Sequence, residues 1–334
     1  MSGALRVGVI GTGAIAQIVH LPLLKEMQGV RVQAVCDLDE NKAAAIAGRL
    51  GIPSVYEQTE EILEDDQVDA VVICSPSHLH QEHAIAALEA GKDVIVERPL
   101  ALDPEGAEAM IRAAESADRL LMVAYNNRFR PDTRGVKSFV ASGELGRIYT
   151  VHGTWFNRKS HLRRKTWRHR RETGGGAFMD LGVQVLDLCL WMLDYPRAER
   201  VTANLNPGEA MEVEDAAAVL IGLEGGAALS VQVTWNLVAE HDRHHVRLLG
   251  TAGTAQTYPL KVMKEAEHGM LNVTPQVAPG RENAYTASYR SELRHFVTAA
   301  RGATSSPLPR EQVDVMRIVQ AVYESADRGT EVPV

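Results

Sequence analysis

The segment Gly11-Thr12-Gly13-Ala14-Ile15-Ala16 directly follows the apolar run Leu5-Arg6-Val7-Gly8-Val9-Ile10 and opens a helical pattern. A glycine-rich turn from strand to helix constrains a chain strongly, because it gathers the free N–H groups of a helix N-terminus around one anion. In this G-x-G-x-x-A pattern Gly11 permits the tight turn and Gly13 lets a pyrophosphate approach the backbone. Ala14 and Ile15 lie in the donor turn, and Ala16 keeps helix and strand close. Asp37 ends the second apolar run, Val32 to Cys36, where a carboxylate accepts hydrogen bonds from the adenosine ribose of a dinucleotide. NAD is expected over NADP, since a 2′-phosphate would meet like charge at Asp37 and neither Leu38 nor Asp39 offsets it.

The rest of the first half repeats the same alternation. Short runs at Asp69 to Cys74, Asp93 to Val96 and Leu120 to Val123 read as buried parallel strands, with helices at 41–50, 80–90 and 104–116 between them. Strand, helix, strand in repetition predicts a doubly wound parallel sheet, a Rossmann domain over residues 1–125. Beyond Tyr125 the rhythm changes to longer alternating strands, at 147–156, 200–205, 216–223, 227–235 and 244–249, with Glu224-Gly225-Gly226 as a hairpin turn. Residues 126–334 therefore read as a second α/β domain around a large, open, mostly antiparallel sheet, closed by helices at 285–300 and 310–326. With 334 residues, 45% hydrophobic and 23% charged, the chain is long enough for two cores and too apolar for a disordered one.

From the first strand to Asp180 the sequence resembles the Gfo/Idh/MocA oxidoreductases, a family that joins a Rossmann domain to a C-terminal α/β domain whose open sheet often forms the oligomer interface. Ser75-Pro76-Ser77-His78-Leu79-His80 is similar to the family's Thr-Pro-Asn-x-x-His segment, which places Ser75, Pro76 and His80 beside the nicotinamide half of the cofactor. Trp167-Arg168, ahead of Gly174-Gly175-Gly176, is similar to its Trp-Arg pair near cofactor and substrate. The resemblance implies a nicotinamide-dependent oxidoreductase acting on a sugar, polyol or related hydroxy or keto compound.

The chain departs from the family at its chemistry. The Glu-Lys-Pro motif is here Glu97-Arg98-Pro99, and Asp-x-Gly-x-His is here Asp180-Leu181-Gly182-Val183-Gln184. Oxidising an alcohol requires a group that takes the hydroxyl proton, and neither a guanidinium nor a carboxamide titrates in the useful range. Arg98, Asp180 and Gln184 hold the catalytic positions. Asp180 and Gln184, four apart in a helical run, share a face, and Asp187 follows on it. Tyr125, His80, Asp180, His161 and His169 are the candidate proton acceptors. The alternative is a cofactor-binding sensor or regulator without redox activity.

Eight Lys or Arg fall between Arg158 and Arg171 in a chain of net charge −8. Arg163 and Arg164 in this loop suit an anionic substrate through guanidinium contacts, or else a solvated arm. The overall negative charge argues against nucleic acid, and no apolar run long enough for a membrane span is present. His241, His244 and His245 are not expected to hold metal, because neighbours in a strand face opposite ways. Three scattered cysteines and the absence of a leader-like start predict a cytoplasmic protein, and the C-terminal sheet predicts a homodimer or homotetramer.

Overall fold

The computed structural model describes residues 3–159, 166–208, 212–276 and 282–334. The chain forms two compact units. The first is built from the chain up to Phe129 together with Glu282–Val313, the second from Arg130 onward together with Asp314–Val334.

In the first unit six strands, β1 (Leu5–Ile10), β2 (Val30–Cys36), β3 (Ser54–Tyr56), β4 (Ala70–Ile73), β5 (Asp93–Glu97) and β6 (Leu121–Ala124), form a sheet in the order β3-β2-β1-β4-β5-β6. Every pairing is parallel. The strands are short and apolar on both faces because helices cover both: Val7, Val9, Val35, Val72 and Ile95 are buried. Each such side chain contributes about 1.5–3 kcal/mol by leaving water. Strand order reverses between β1 and β4, so the carboxyl ends of these two strands open the crevice in which such sheets bind ligands. The expected doubly wound sheet is present. Strand β3, only three residues long, escapes the sequence pattern.

One helix lies elsewhere than its sequence position suggests. Residues 126–334 read as one domain, yet the helix Ala284–Ala300, capped by Asn283 donating no proton but accepting from Thr286 N at 2.8 Å, packs in the first unit. Its Tyr289, Leu293, Phe296 and Val297 join the cluster of Val7, Leu21, Leu24 and Val35. Periodicity shows that this helix has an apolar stripe but not which surface the stripe covers.

The second unit holds β7 (Ile148–Arg158), β8 (Ala198–Pro207), β9 (Glu214–Leu223), β10 (Ala228–Leu237), β11 (Arg243–Gly250), β12 (Gly253–Thr257), β13 (Leu260–Ala266), β14 (Gly269–Asn272) and β15 (Val332–Pro333). Their order is β14-β13-β12-β11-β7-β10-β9-β8-β15. β7 and β10 run parallel and the other neighbours antiparallel. The alternation predicted for β7 to β11 is real: in β10, Leu229, Val231, Val233 and Trp235 face the core. Strands β12 to β14 were not legible, since all four residues of edge strand β14 are exposed and carry no burial pattern. The apolar stretch Arg171–Met192, which ends in the helix Val183–Met192, is mostly buried inside this unit and belongs to its core.

Candidate active site

The glycine turn in the first unit separates two roles that look alike in sequence. Gly11 has φ +88°, and a side chain there would lie 2.7 Å from the backbone of Cys74 and Ser75, so the fold itself demands glycine. Around Gly13 nothing of the protein lies within 4 Å of where a side chain would sit. Its openness is what a pyrophosphate approaching the helix N-terminus needs. Ala14 is exposed, Ile15 half-buried and Ala16 buried.

Asp37 is tied to this turn. Its Oδ2 accepts from Thr12 N at 2.7 Å and Thr12 Oγ1 at 2.8 Å, and its Oδ1 accepts from Asp39 N at 3.0 Å. Lys42 Nζ stands 2.8 Å from the same Oδ1. Burial by itself would push the carboxyl up, but the donors from Lys42, Asp39 and Thr12 outweigh it and hold Asp37 below the usual carboxylate range. Lys42 supplies the positive charge beside Asp37 that neither Leu38 nor Asp39 offers. Asp39 caps the helix Glu40–Leu50 by accepting from Lys42 N at 3.0 Å, and this brings the lysine back over Asp37.

Ser75 lies just beyond β4, and His80 opens the helix His80–Glu89 that follows. Ser75 Oγ is 3.0 Å from His83 Nδ1. The buried His80 ring has Nε2 at 2.9 Å from Ser75 O and Nδ1 at 2.8 Å from Pro99 O. Burial lowers its proton affinity, and a neutral ring donates to one carbonyl at a time. His80 thus lies between the Ser75-Pro76 loop and the segment after Arg98, with a backbone carbonyl facing each ring nitrogen. Glu97 at the end of β5 meets His20 Nε2 at 2.7 Å. Burial opposes the charged carboxylate, but His20 and the neighbouring Arg98 hold it below its ordinary value. Arg98 itself is half-buried. Tyr125 is buried and donates its hydroxyl to Gln312 Oε1 at 3.0 Å, with Arg128 over its ring, so this candidate acceptor is already engaged.

In the second unit the site is built around Asp180. A wide turn at Phe178–Gly182, closed by Val183 N donating to Phe178 O, leads into the helix Val183–Met192. Such π-type turns recur at functional sites. Asp180 Oδ1 lies 3.3 Å from Arg168 Nε and Oδ2 lies 3.3 Å from Trp235 Nε1. Two donors on opposite oxygens fix the plane of an acceptor-only carboxylate. Arg168 lies 4.3 Å over the Trp167 ring, so the Trp-Arg pair acts here as a support for Asp180. Gly176 N and Gly175 N donate to Arg168 O at 3.1 Å and Arg170 O at 2.9 Å. Gly176 has φ +118°, and a side chain there would run into the Glu214 carboxyl. Glu214 in turn accepts from Phe178 N at 2.9 Å and Tyr323 Oη at 3.1 Å, with burial pushing it up against these bonds.

Gln184 is buried and donates its amide to Asp180 O at 3.0 Å, which bears out the shared face. Asp187 turns away, accepting from Tyr195 Oη at 2.9 Å in the interior. His169 packs on Trp235 with its Nδ1 accepting from Thr166 N at 3.0 Å. His244 stacks between Trp155 and Tyr258, whereas His245 meets Thr154 and His152 across the sheet, so the two rings do face opposite ways. Arg163, Arg164 and His161 lie outside the described residues. Sequence reasoning missed His20, Lys42, Glu214 and Trp235, which signal nothing until the chain folds.

The family model for "Oxidoreductase family, NAD-binding Rossmann fold" matches residues 5–125, and that for "GFO/IDH/MocA C-terminal domain" matches residues 133–256. D-glucoside 3-dehydrogenase of Escherichia coli is 28% identical, covering 99% of this chain and 98% of the relative. An uncharacterized oxidoreductase of Rhizobium meliloti is 31% identical over 97% of both. The solved structure of levoglucosan dehydrogenase in complex with NADH superposes with a TM-score of 0.88 at 26% identity, covering 99% of each chain.

Proposed function

The chain belongs to the Gfo/Idh/MocA family of oxidoreductases, and we propose that it transfers a hydride between NAD and a sugar, polyol or related hydroxy or keto compound. The observation that carries this reading is the pairing of an open Gly13 turn with Asp37 bonded to Thr12 inside that same turn. Phosphate donors and a ribose acceptor are held in one rigid unit. The names of the relatives, dehydrogenases of a glucoside and of levoglucosan, support a sugar-like substrate.

The nicotinamide, when bound, accepts or gives the hydride. The chain must hold the substrate oxygen and deal with its proton. Asp180 is the proton acceptor of this proposal, with its plane fixed by Arg168 and Trp235. Gln184 and Arg98 donate hydrogen bonds to substrate and do not titrate. Ser75, Pro76 and His80 border the nicotinamide, and Tyr125, Asp180 and Gln184 are the substrate-binding residues of this reading, alongside Arg163 and Arg164. The basic run around Arg163 and Arg164 suits an anionic substrate. The outer face of the nine-stranded sheet, with Leu220 exposed in its row beside Ser230 and His152, suits a homodimer or homotetramer. Three buried free thiols suit the reducing cytoplasm.

Titration with NADH and a turnover panel of sugars, polyols and sugar acids test the proposal. Micromolar NADH binding with turnover of at least one compound is expected, abolished in Asp180→Ala. A sensor role is favoured by one observation, that one of the two Gln184 amide hydrogens is committed to the Asp180 carbonyl at the position where the family has a titratable histidine. If NADH binds, the panel stays silent, and Arg98→Lys with Gln184→His creates activity, the sensor reading replaces the enzyme.

A further inference from the structure

Three of the four tryptophans in the chain belong to the surroundings of Asp180. Trp235 donates to its carboxylate, and Trp167 lies under the Arg168 that reaches the other oxygen. The third, Trp155, pairs in the sheet with Val233 of β10 on one side and with His244 of β11 on the other. Val233 and Trp235 are two apart in one strand and face the same way, so Trp155 stands on the same side of the sheet as Trp235. With strands about 4.8 Å apart and a rise of about 3.3 Å per residue, their backbones are about 8 Å apart. The indole is braced from behind. His244 stacks on it at 5.1 Å with 27° between the planes, and Tyr258 stacks on His244 at 5.2 Å and 6°. The first of these separations is close to the strand spacing, so the rings stack along the line from β11 to β7, and the opposite face of Trp155 looks toward β10 and Trp235. Trp155 Nε1 donates to Asn157 Oδ1 at 2.9 Å, which fixes the rotation of the ring. Among the described residues no second ring and no cation lies on that opposite face.

We propose that Trp155 is a substrate-stacking residue that selects closed-ring compounds, pyranosides or cyclitols, by holding the C–H face of the ring while Asp180 meets a hydroxyl at its rim. The proposal rests on the reading of the chain as a sugar dehydrogenase and names the substrate class within it. A six-membered ring in its chair form, with its hydroxyls equatorial, turns weakly positive C–H bonds to its flat faces and its polar groups to the rim. An indole face is apolar and electron-rich and matches the flat face, whereas the rim needs the few placed polar groups of a ligand site. Trp155 supplies the plane, and Asp180, oriented by Arg168 and Trp235, supplies the polar group. An open-chain polyol presents no such face and must also freeze several rotatable bonds. The bracing removes the freedom that a lone indole would lose on binding, so the plane is held before the substrate arrives. The three rings are not core filling, for Trp155 and His244 are half-buried and Tyr258 is exposed.

Steady-state kinetics with NAD on matched pairs decide this: methyl β-D-glucopyranoside against sorbitol, and methyl β-D-glucuronide against gluconate, with myo-inositol as a further closed ring. The full chain is compared with its Trp155→Leu, Trp155→Phe and His244→Leu variants, each with a thermal melt and a calorimetric titration of the closed rings into the NADH-saturated protein. The unmutated chain is expected to use a closed ring with kcat/KM at least about 10-fold above its open-chain partner. Trp155→Leu should lose about 10-fold on closed rings, mostly through KM and with the same loss in calorimetric affinity, and less than about 3-fold on open chains. Trp155→Phe keeps a plane and should stay within about 3-fold, while His244→Leu, which removes the brace and leaves the indole, should fall between the two. If Trp155→Leu melts early, the other two variants carry the comparison. Preference for open chains, or equal effects of the variants on both classes, overturns the role of Trp155 and leaves the dehydrogenase standing. Neither turnover nor calorimetric binding of any of these compounds by the unmutated chain overturns the sugar reading, and this proposal with it.

Discussion

His20 Nε2 lies 2.7 Å from Glu97 Oε1, in a pair whose histidine side chain is wholly buried, and its ring meets Tyr289 edge-on at 5.7 Å. The pair joins the helix that follows the glycine turn to the end of β5, one residue before Arg98. A wide turn at Ala16–His20, in which Leu21 N donates to Ala16 O, precedes the regular helix and ends on this histidine.

Removing one partner of a buried pair leaves the other charged and unsolvated. His20→Ala is expected to cost about 3–5 kcal/mol of stability, read as a lowered urea midpoint. Because Glu97 is held below its ordinary value, its contribution is complete above the unfolded carboxyl value near pH 4.3 and is lost as pH falls through the folded value. The deficit of His20→Ala should therefore shrink in acid. A deficit that grows on acidification would contradict the pairing.

The two glycines of the turn should fail in different ways. Gly11→Ala places a methyl against the backbone of Cys74 and Ser75 at positive φ, so it should destabilise the fold by at least about 1–3 kcal/mol. Gly13→Ala meets nothing of the protein, so its melting temperature should stay within a few degrees while NADH affinity drops about 10-fold or more. Equal affinity in Gly13→Ala would remove the pyrophosphate from this turn.

Trp235→Phe keeps the ring and deletes the N–H that reaches Asp180 Oδ2. Loss of one such bond costs about 1 kcal/mol. A fall of about 5-fold in kcat with little change in KM is expected if the bond orients Asp180 for proton transfer, whereas a change confined to KM would assign Asp180 to binding alone.

Glu292 is fully buried, and among the described residues neither carboxyl oxygen has a hydrogen-bond partner. Burial first, and the neighbouring Glu97 second, push it well above the usual carboxyl value, against the opposing pull of Arg128. A raised carboxyl contributes its stability below the unfolded value and loses it as pH rises through the folded one. Glu292→Gln cannot ionise, so its stability relative to the unmutated chain should be near equal at pH 4.5 and should improve toward pH 9. Urea midpoints across that range check it, and a gap independent of pH would show that the carboxyl is solvated or paired.

The parallel sheet, the glycine turn and the Asp37 position were fixed by the sequence alone, because each is a local pattern: four to six apolar residues, a turn that only glycine permits, and an acid one strand later. The face shared by Asp180 and Gln184 was legible for the same reason, as helical spacing is a local property. What encloses these residues was not. Lys42 reaching Asp37, His20 reaching Glu97 across 77 positions, Trp235 reaching Asp180 across 55, and the helix Ala284–Ala300 packing in the first unit all depend on contacts between distant segments. Periodicity reports that a residue has a buried or an exposed side, but not its partner, since many partners satisfy the same pattern. Only the folded chain brings these donors and acceptors to between 2.7 and 3.3 Å, and that proximity decides which acid is held as a carboxylate and which, like Glu292, has no hydrogen-bond partner among the described residues.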